Sequence, residues 1–131
     1  MAGSRSDSKR VCGFVVGYSN AAVTAGQVLI EATIPCGARI GGIVGTARTA
    51  GVGAGNTVLD VLRNNTSIWS TAGNRPTLAS ASTGDFASTV PEVRSMQAAT
   101  APFDYLILKV ISIPATTGHA RVSLTVALEE A

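Results

Sequence analysis

The stretch NTVLDVLRNNTSIWSTAGNRPTLASA, residues 56–81, decides how this chain can fold. Two short runs with β-type composition, 57–62 and 66–70, flank the pair Asn64-Asn65. Asparagine tolerates a positive φ better than most residues, so this pair can occupy both central positions of a tight primed turn. The stretch therefore predicts an antiparallel hairpin, and the rest of the chain is interpreted as strands packed around it.

Five further runs have the composition and length of strands. They are Val11–Tyr18, Gln27–Ile34, Arg39–Ala47, Phe103–Ile113 and Ala120–Leu128. The first is a dense apolar run whose length suits a buried strand. Phe103–Ile113 is apolar on both faces, so both should be covered, one by the core and the other by a cover that could be a partner subunit. The last run alternates, with Val122, Leu124, Val126 and Leu128 expected to point inward.

These runs imply seven or eight short strands with turn residues between them and no amphipathic helix. We expect an all-β fold, a two-sheet antiparallel sandwich of the jelly-roll type, in one domain over residues 11–131. An immunoglobulin-like sandwich is the alternative, but it has less support because Trp69 follows both cysteines.

The segment 71–100 is long, polar and weakly patterned. We expect loops there, with short strands over Asp85–Val90 and Glu92–Gln97. Long loops on a compact β domain often serve binding or assembly.

The composition bears on the surface of the protein. Of 131 residues, 46% are apolar and 14% are charged, whereas ordinary globular domains carry about 25% charged residues. This low charge favours an exterior that is partly buried against a partner chain. The alternative is that abundant alanine raises the apolar count without creating adhesive patches.

The net charge of +2 lies in the first ten residues, MAGSRSDSKR. Arg5, Lys9 and Arg10 against Asp7 give 3 − 1 = +2, which leaves seven basic and seven acidic residues in the body. The body has no basic stripe in its sequence, so we expect no groove for nucleic acid. We predict a polar N-terminal arm over residues 1–10, either disordered or ordered on a neighbouring subunit through Arg5, Lys9 and Arg10.

Residues that could carry chemistry are few. His119 is the only histidine and is interpreted as a surface turn residue, since no nucleophile motif accompanies it. Asp85 and Glu92 could meet in a cleft, but nothing in the sequence requires it. No metal-ligand spacing and no nucleotide or flavin signature is present, so we expect no catalytic residue, no cofactor and no metal.

Three other residues have two interpretations each. Cys12 and Cys36 are expected to be buried free thiols, and a single bridge between neighbouring strands is the alternative. Trp69 is expected to anchor the core, and a stacking platform for a sugar or base is the alternative.

No run approaches the roughly 18 apolar residues of a membrane span, and no signal peptide is recognisable.

Residues 58–80 resemble a pattern that recurs in β-sandwich virion proteins of tailed bacteriophages. The pattern reads D-V-x-x-N-G-T-S-I-[FW]-S-T, followed by N-R-P-T-[IL]. It is carried here by Asp60, Val61, Asn64, Thr66, Ser67, Ile68, Trp69, Ser70, Thr71, Asn74, Arg75, Pro76, Thr77 and Leu78. Asn65 replaces the usual glycine. Asp104 before an apolar strand and Thr117-Gly118 before the last strand look similar to the family's later half, while 82–100 matches poorly.

The resemblance implies a virion structural protein that decorates and stabilises a bacteriophage capsid from its exterior. It also implies a homotrimer bound to the major capsid protein, with no role for nucleic acid or membrane. A short chain that starts at its own Met is expected to be a separate decoration protein. The alternative is a receptor- or glycan-binding knob of a phage tail or head fibre. A cupin-like enzyme is a third interpretation, which a single histidine all but excludes.

Overall fold

Residues 11–34, 37–87 and 104–130 are described by the computed structural model of the protein. These ranges contain β-strands and one short 3-10 turn, Ala72–Asn74. The strands are β1 Val11–Ser19, β2 Val28–Thr33, β3 Ala38–Thr49, β4 Asn56–Arg63, β5 Thr66–Ser67, β6 Thr77–Ala79, β7 Gly84–Asp85, β8 Tyr105–Ser112 and β9 Ala120–Glu130.

The strands form two antiparallel sheets packed face to face. The first sheet has the order β1-β9-β3-β7, and the second has β2-β8-β4, with β5 and β6 pairing along the two halves of the outer edge of β4. The pairing is nested around the central hairpin: β4 pairs with β5 and β6, β3 with β7, β2 with β8, and β1 with β9. This is the wrapped hairpin of a jelly roll, and it confirms the predicted all-β sandwich.

The central hairpin closes as the asparagine pair predicts. Asn64 and Asn65 have φ of 48° and 71°, the two positive values of a primed turn. β5 is shorter than the predicted run 66–70, because Ile68 and Trp69 leave the sheet edge and are buried in the core. Their burial confirms Trp69 as a core anchor.

The core lies between the two sheets and is built from alternate residues of the long strands. On β9 the four predicted residues point inward and are buried, so that prediction is confirmed. The strand continues to Glu130, two residues beyond its predicted end. The facing side chains of the second sheet come mainly from β8 and β4: Leu106, Leu108, Val110, Leu59 and Val61.

The predicted burial of the first strand holds for one of its two faces only. Val15 and Gly17 face the second sheet and are buried, but Phe14, Val16 and Tyr18 on the other face are exposed. The physical reason is that the described part of the chain places no layer over the outer surface of the first sheet. Whether an apolar side chain is buried depends on what covers it, which an apolar run does not encode.

The segment 71–87 is only partly as expected. It forms the 3-10 turn, β6 and β7, and of the predicted strand Asp85–Val90 only Asp85 belongs to β7. The remainder of that strand from residue 88 onward, and all of Glu92–Gln97, lie outside the described residues.

The turn geometry gives a first testable prediction. Replacing Asn65 with valine should lower the free energy of unfolding by about 1–2 kcal/mol, because a β-branched residue pays the full left-handed penalty at φ 71°. Replacing Asn65 with glycine should leave stability unchanged or slightly higher, since glycine adopts this conformation freely. Urea denaturation of both variants checks this, with Thr66→Val as an exposed control on the same hairpin. Equal effects of valine and glycine at position 65 would contradict it.

Candidate functional site

The outer surface of the first sheet carries a patch that we call the β1–β9–β3 face. Directly opposite residues in an antiparallel ladder project their side chains from the same face, so the register of β1, β9 and β3 arranges nine residues in three rows. The rows are Phe14–Ala127–Gly42, Val16–Thr125–Val44 and Tyr18–Ser123–Thr46.

This face is apolar and exposed. Phe14 is 63% exposed, Val16 48%, Tyr18 55% and Val44 58%. None of the nine residues is an acid, a base or a histidine. Two of its polar groups pair with each other, since the Thr46 and Ser123 hydroxyls lie 3.0 Å apart. An exposed apolar patch of this kind marks an interaction surface in a soluble protein.

The outer surface of the second sheet has a different character. Lys109 on β8 lies opposite Asp60 on β4, and the exposed Glu31 on β2 lies opposite Ile107. Charged side chains therefore interrupt the apolar residues of that surface. The two exteriors of the sandwich differ, and the uncharged one is the better candidate for a protein contact.

Charged residues border the β1–β9–β3 face at both ends. At one end an open groove is lined by Thr46, Ala47, Arg48, Thr83, Gly84, Asp85 and Arg121. Arg121 has a φ of 49° and donates its Nε–H to the Thr49 hydroxyl at 3.2 Å. At the other end Glu129 on β9 lies directly opposite Arg39 on β3 in the strand ladder. The face thus has an apolar centre and a polar rim, the usual anatomy of a protein interface.

His119 is not the surface turn residue that the sequence predicts. It is fully buried, with Nδ1 2.7 Å from the Thr57 hydroxyl and Nε2 3.0 Å from the carbonyl oxygens of both Ala79 and Ser82. A carbonyl can only accept, so Nε2 carries the proton that these contacts share. With both ring nitrogens engaged and no exposure, His119 holds β9, β4 and the segment after β6 together.

Asp60 is a second buried polar residue. Its Oδ1 accepts hydrogen bonds from the Ser67 hydroxyl at 2.7 Å and the Val61 N–H at 2.8 Å, and its Oδ2 lies 3.3 Å from Arg75 Nε. Burial raises the pKa of Asp60 above its ordinary value, while the Ser67 hydrogen bond and the Arg75 charge oppose that rise. Asp60 points to the outer side of the second sheet, but the segment around Arg75 encloses it. The carboxylate therefore anchors that segment.

Asp104 has a corresponding role at the hairpin turn. It lies 3.1 Å from Arg63 Nε and accepts a hydrogen bond from Asn64 Nδ2 at 2.9 Å. The Asn64 side-chain oxygen in turn accepts the Tyr105 N–H at 3.0 Å. These contacts join the turn to the start of β8. The two buried carboxylates are thus both occupied by structural partners.

Of the remaining predicted site residues, the structure describes Asp85. Arg5, Lys9 and Arg10 lie outside the described residues, and so do Glu92 and Cys36. The side chain of Cys12 is not described either, so the state of the thiols stays a prediction. Asp85 is exposed beside the groove.

Within the described ranges, no group of three or more His, Cys, Asp or Glu side chains is placed to hold a metal ion. In the same ranges, no helix has the length and apolarity required to cross a membrane. The feature that stands out among the described residues is the exposed apolar β1–β9–β3 face.

The low charge predicts an adhesive exterior, but the sequence did not place it on the outer surface of the first sheet. The signal that could have located it is the combination of β1 and β9. β1 is apolar at every outward position, whereas the outward positions 123, 125 and 127 of β9 are small and uncharged. Only the observed register shows that these positions adjoin.

Comparison with known proteins adds no relative from which function can be transferred. No protein-family model matches the chain, and neither a curated protein nor a solved structure matches it.

Proposed function

We propose that the chain is a virion structural protein that decorates and stabilises a bacteriophage capsid, located on the capsid exterior and bound to the major capsid protein. The β1–β9–β3 face carries this proposal, because a rigid sandwich with an apolar, uncharged exterior is suited to assembly. The resemblance of residues 58–80 to phage virion proteins supplies the class of assembly. Self-association is part of the proposal; the resemblance implies a trimer, whereas the shape of the face favours a two-fold contact.

The mechanism is stabilisation by binding. A protein that contacts two neighbouring capsomers binds the intact shell and not the ruptured one. By mass action, such binding lowers the free energy of the intact state relative to the ruptured state. The protein needs a stiff body and contact surfaces for this function, and no chemical step.

The arm supplies the prediction that tests capsid binding. Replacing Arg5, Lys9 and Arg10 together with alanine should weaken binding to capsids assembled without the protein by roughly tenfold, since each exposed charge contributes up to about 1 kcal/mol. Sedimentation of capsids with the bound protein measures occupancy, and raising the salt concentration should reduce the difference between the variants. The matched control replaces Ser4, Ser6 and Ser8 with alanine, which alters the same arm without changing its charge. Equal occupancy for both variants would exclude the three cations from the contact.

A receptor- or glycan-binding knob is the second candidate, and the exposure of Phe14 and Tyr18 favours it. Aromatic rings stack on sugars, and the Tyr18 hydroxyl lies 3.3 Å from the side-chain oxygen of Asn20. The two rings are four residues apart on one strand, a distance of about 13 Å. A sugar bound between them would also need polar hydrogen-bonding groups there to orient it. Binding to a glycan library that is lost on Tyr18→Ala would favour the knob over the capsid protein.

A further inference from the structure

Side-chain size is distributed unevenly across the β1–β9–β3 face. The β1 edge carries the bulky residues Phe14, Val16 and Tyr18, while the β3 edge carries Gly42, Val44 and Thr46. The β9 positions between them are small: Ala127, Thr125 and Ser123. In cross-section the face is therefore a ridge along β1 beside a low side formed by β9 and β3, on which Val44 is the bulkiest residue.

Such a surface is complementary to itself in one orientation. A two-fold axis that runs along β9 places β1 of one copy over β3 of the other, so each ridge fills the low side opposite. In this arrangement Phe14 packs over the position of Gly42, which has no side chain, and Val16 packs over Val44. A two-fold axis across the strands would instead stack ridge on ridge and leave a gap above both β3 strands, which close packing disfavours.

We propose that the β1–β9–β3 face binds the same face of a second copy of this chain about a two-fold axis along β9. This inference rests on the proposed function, since it treats the face as an assembly surface, and it goes further by naming the partner and the symmetry. The contact is isologous: the same patch is used by both copies, and the assembly closes as a dimer.

The composition and the area of the face bear on this partner. The three rows hold no charged side chain, so the centre of the contact buries no like charges. Three strands about 4.8 Å apart, with the flanking side chains, would bury roughly 400–500 Å² on each copy. A total of about 800–1,000 Å² is at the lower limit of specific interfaces, so the dimer should dissociate on dilution.

The orientation also determines how salt acts. An axis along β9 brings the Arg48 and Arg121 ends of the two copies near each other, and it brings the two Glu129 ends together as well. Added salt should therefore screen both repulsions and strengthen the dimer. An axis across the strands would place this basic end against the Glu129 end of the other copy, and salt would then weaken association.

Gly42 provides a sharp test. A Cβ added at Gly42 meets nothing within 4 Å, so Gly42→Leu should leave the monomer's melting temperature unchanged. In the dimer the new side chain occupies the space of Phe14, and we expect the dissociation constant to rise at least tenfold. Gly73→Leu is the matched control, because Gly73 is equally unobstructed and lies in the 3-10 turn. The double variant Phe14→Ala/Gly42→Phe exchanges ridge and low side, and it should restore association.

Sedimentation equilibrium of the full chain over a range of concentrations measures these effects. The inference is supported if the unaltered protein forms a particle of twice 13.3 kDa. Gly42→Leu and Phe14→Ala should each convert this particle to monomer, and the double variant should form it again. A monomer at every concentration, a trimer, or a dimer insensitive to both single substitutions would overturn it. If the isolated protein is monomeric but Gly42→Leu abolishes capsid occupancy, the face belongs to the capsid protein; the self-pairing then fails while the proposed function stands.

Discussion

Replacing His119 with alanine is expected to lower the free energy of unfolding by about 4 kcal/mol. The substitution removes a fully buried ring and leaves the Thr57 hydroxyl and the carbonyl groups of Ala79 and Ser82 without their shared partner. The ring is also a spatial link, because it connects the start of β9 in the first sheet with β4 and the end of β6 in the second. Its loss therefore weakens the contact between the two sheets in addition to removing the contacts of one side chain.

Two measurements separate the hydrogen bonds from the lost volume. Thr57→Val keeps the shape near the ring but removes the hydroxyl, so it should cost about 1–2 kcal/mol, clearly less than His119→Ala. In the unaltered protein, the Nε2 proton shared by two buried carbonyls should give a slowly exchanging imidazole N–H signal in NMR spectra. A loss below about 1 kcal/mol for His119→Ala, or fast exchange of that proton, would contradict a structural role.

The parts of the fold that the sequence predicts are those encoded locally. The positive φ values of Asn64 and Asn65 follow from the tolerance of asparagine for the left-handed region, whatever surrounds the turn. The inward set of β9 follows from strict alternation, which requires only that one face be buried. The jelly roll is predicted from the number of strands and the turn signals between them. The nested pairing around the hairpin is seen only in the observed registers.

The parts that the sequence does not predict depend on distant segments. His119 has polar surroundings in the sequence, and it is buried only because residues 57, 79 and 82 converge on it in space. Phe14 has apolar surroundings in the sequence, and it is exposed because no described segment covers the first sheet there. In both cases the environment is set by contacts that no local pattern carries.

The buried polar residues and the apolar face occupy different parts of the molecule. Asp60, Asp104 and their partners lie at the hairpin and on the second sheet, whereas the β1–β9–β3 face lies on the outside of the first sheet. Substitutions on the face should therefore alter association while leaving stability nearly unchanged, since exposed side chains contribute little to the folded state. Substitutions in the polar clusters should have the opposite effect.

Replacing Asp60 with alanine is expected to lower the free energy of unfolding by about 3 kcal/mol. Ser67 and the Val61 N–H lose their acceptor, and the partly buried Arg75 guanidinium loses its counter-charge. The segment between β5 and β6 should then detach from β4, which hydrogen exchange of the amides in 68–76 would detect. Asp85→Ala is the control, because Asp85 is an exposed carboxylate and its removal should change stability by less than about 0.5 kcal/mol.

The charge state of Asp60 gives a pH dependence whose sign is fixed by burial. Because burial raises the pKa of Asp60 above its ordinary value of 3.8, the folded protein holds this proton more tightly than the unfolded chain does. The resulting stabilisation is complete below pH 3.8 and is lost as the pH rises through the folded-state pKa. Asp60→Asn lacks this titration, so the stability of the unaltered protein relative to Asp60→Asn should fall with rising pH in the mildly acidic range and then level off. Denaturant titrations of both proteins across that range measure the difference, and a difference that grows with pH would mean that the Arg75 and Ser67 contacts outweigh burial.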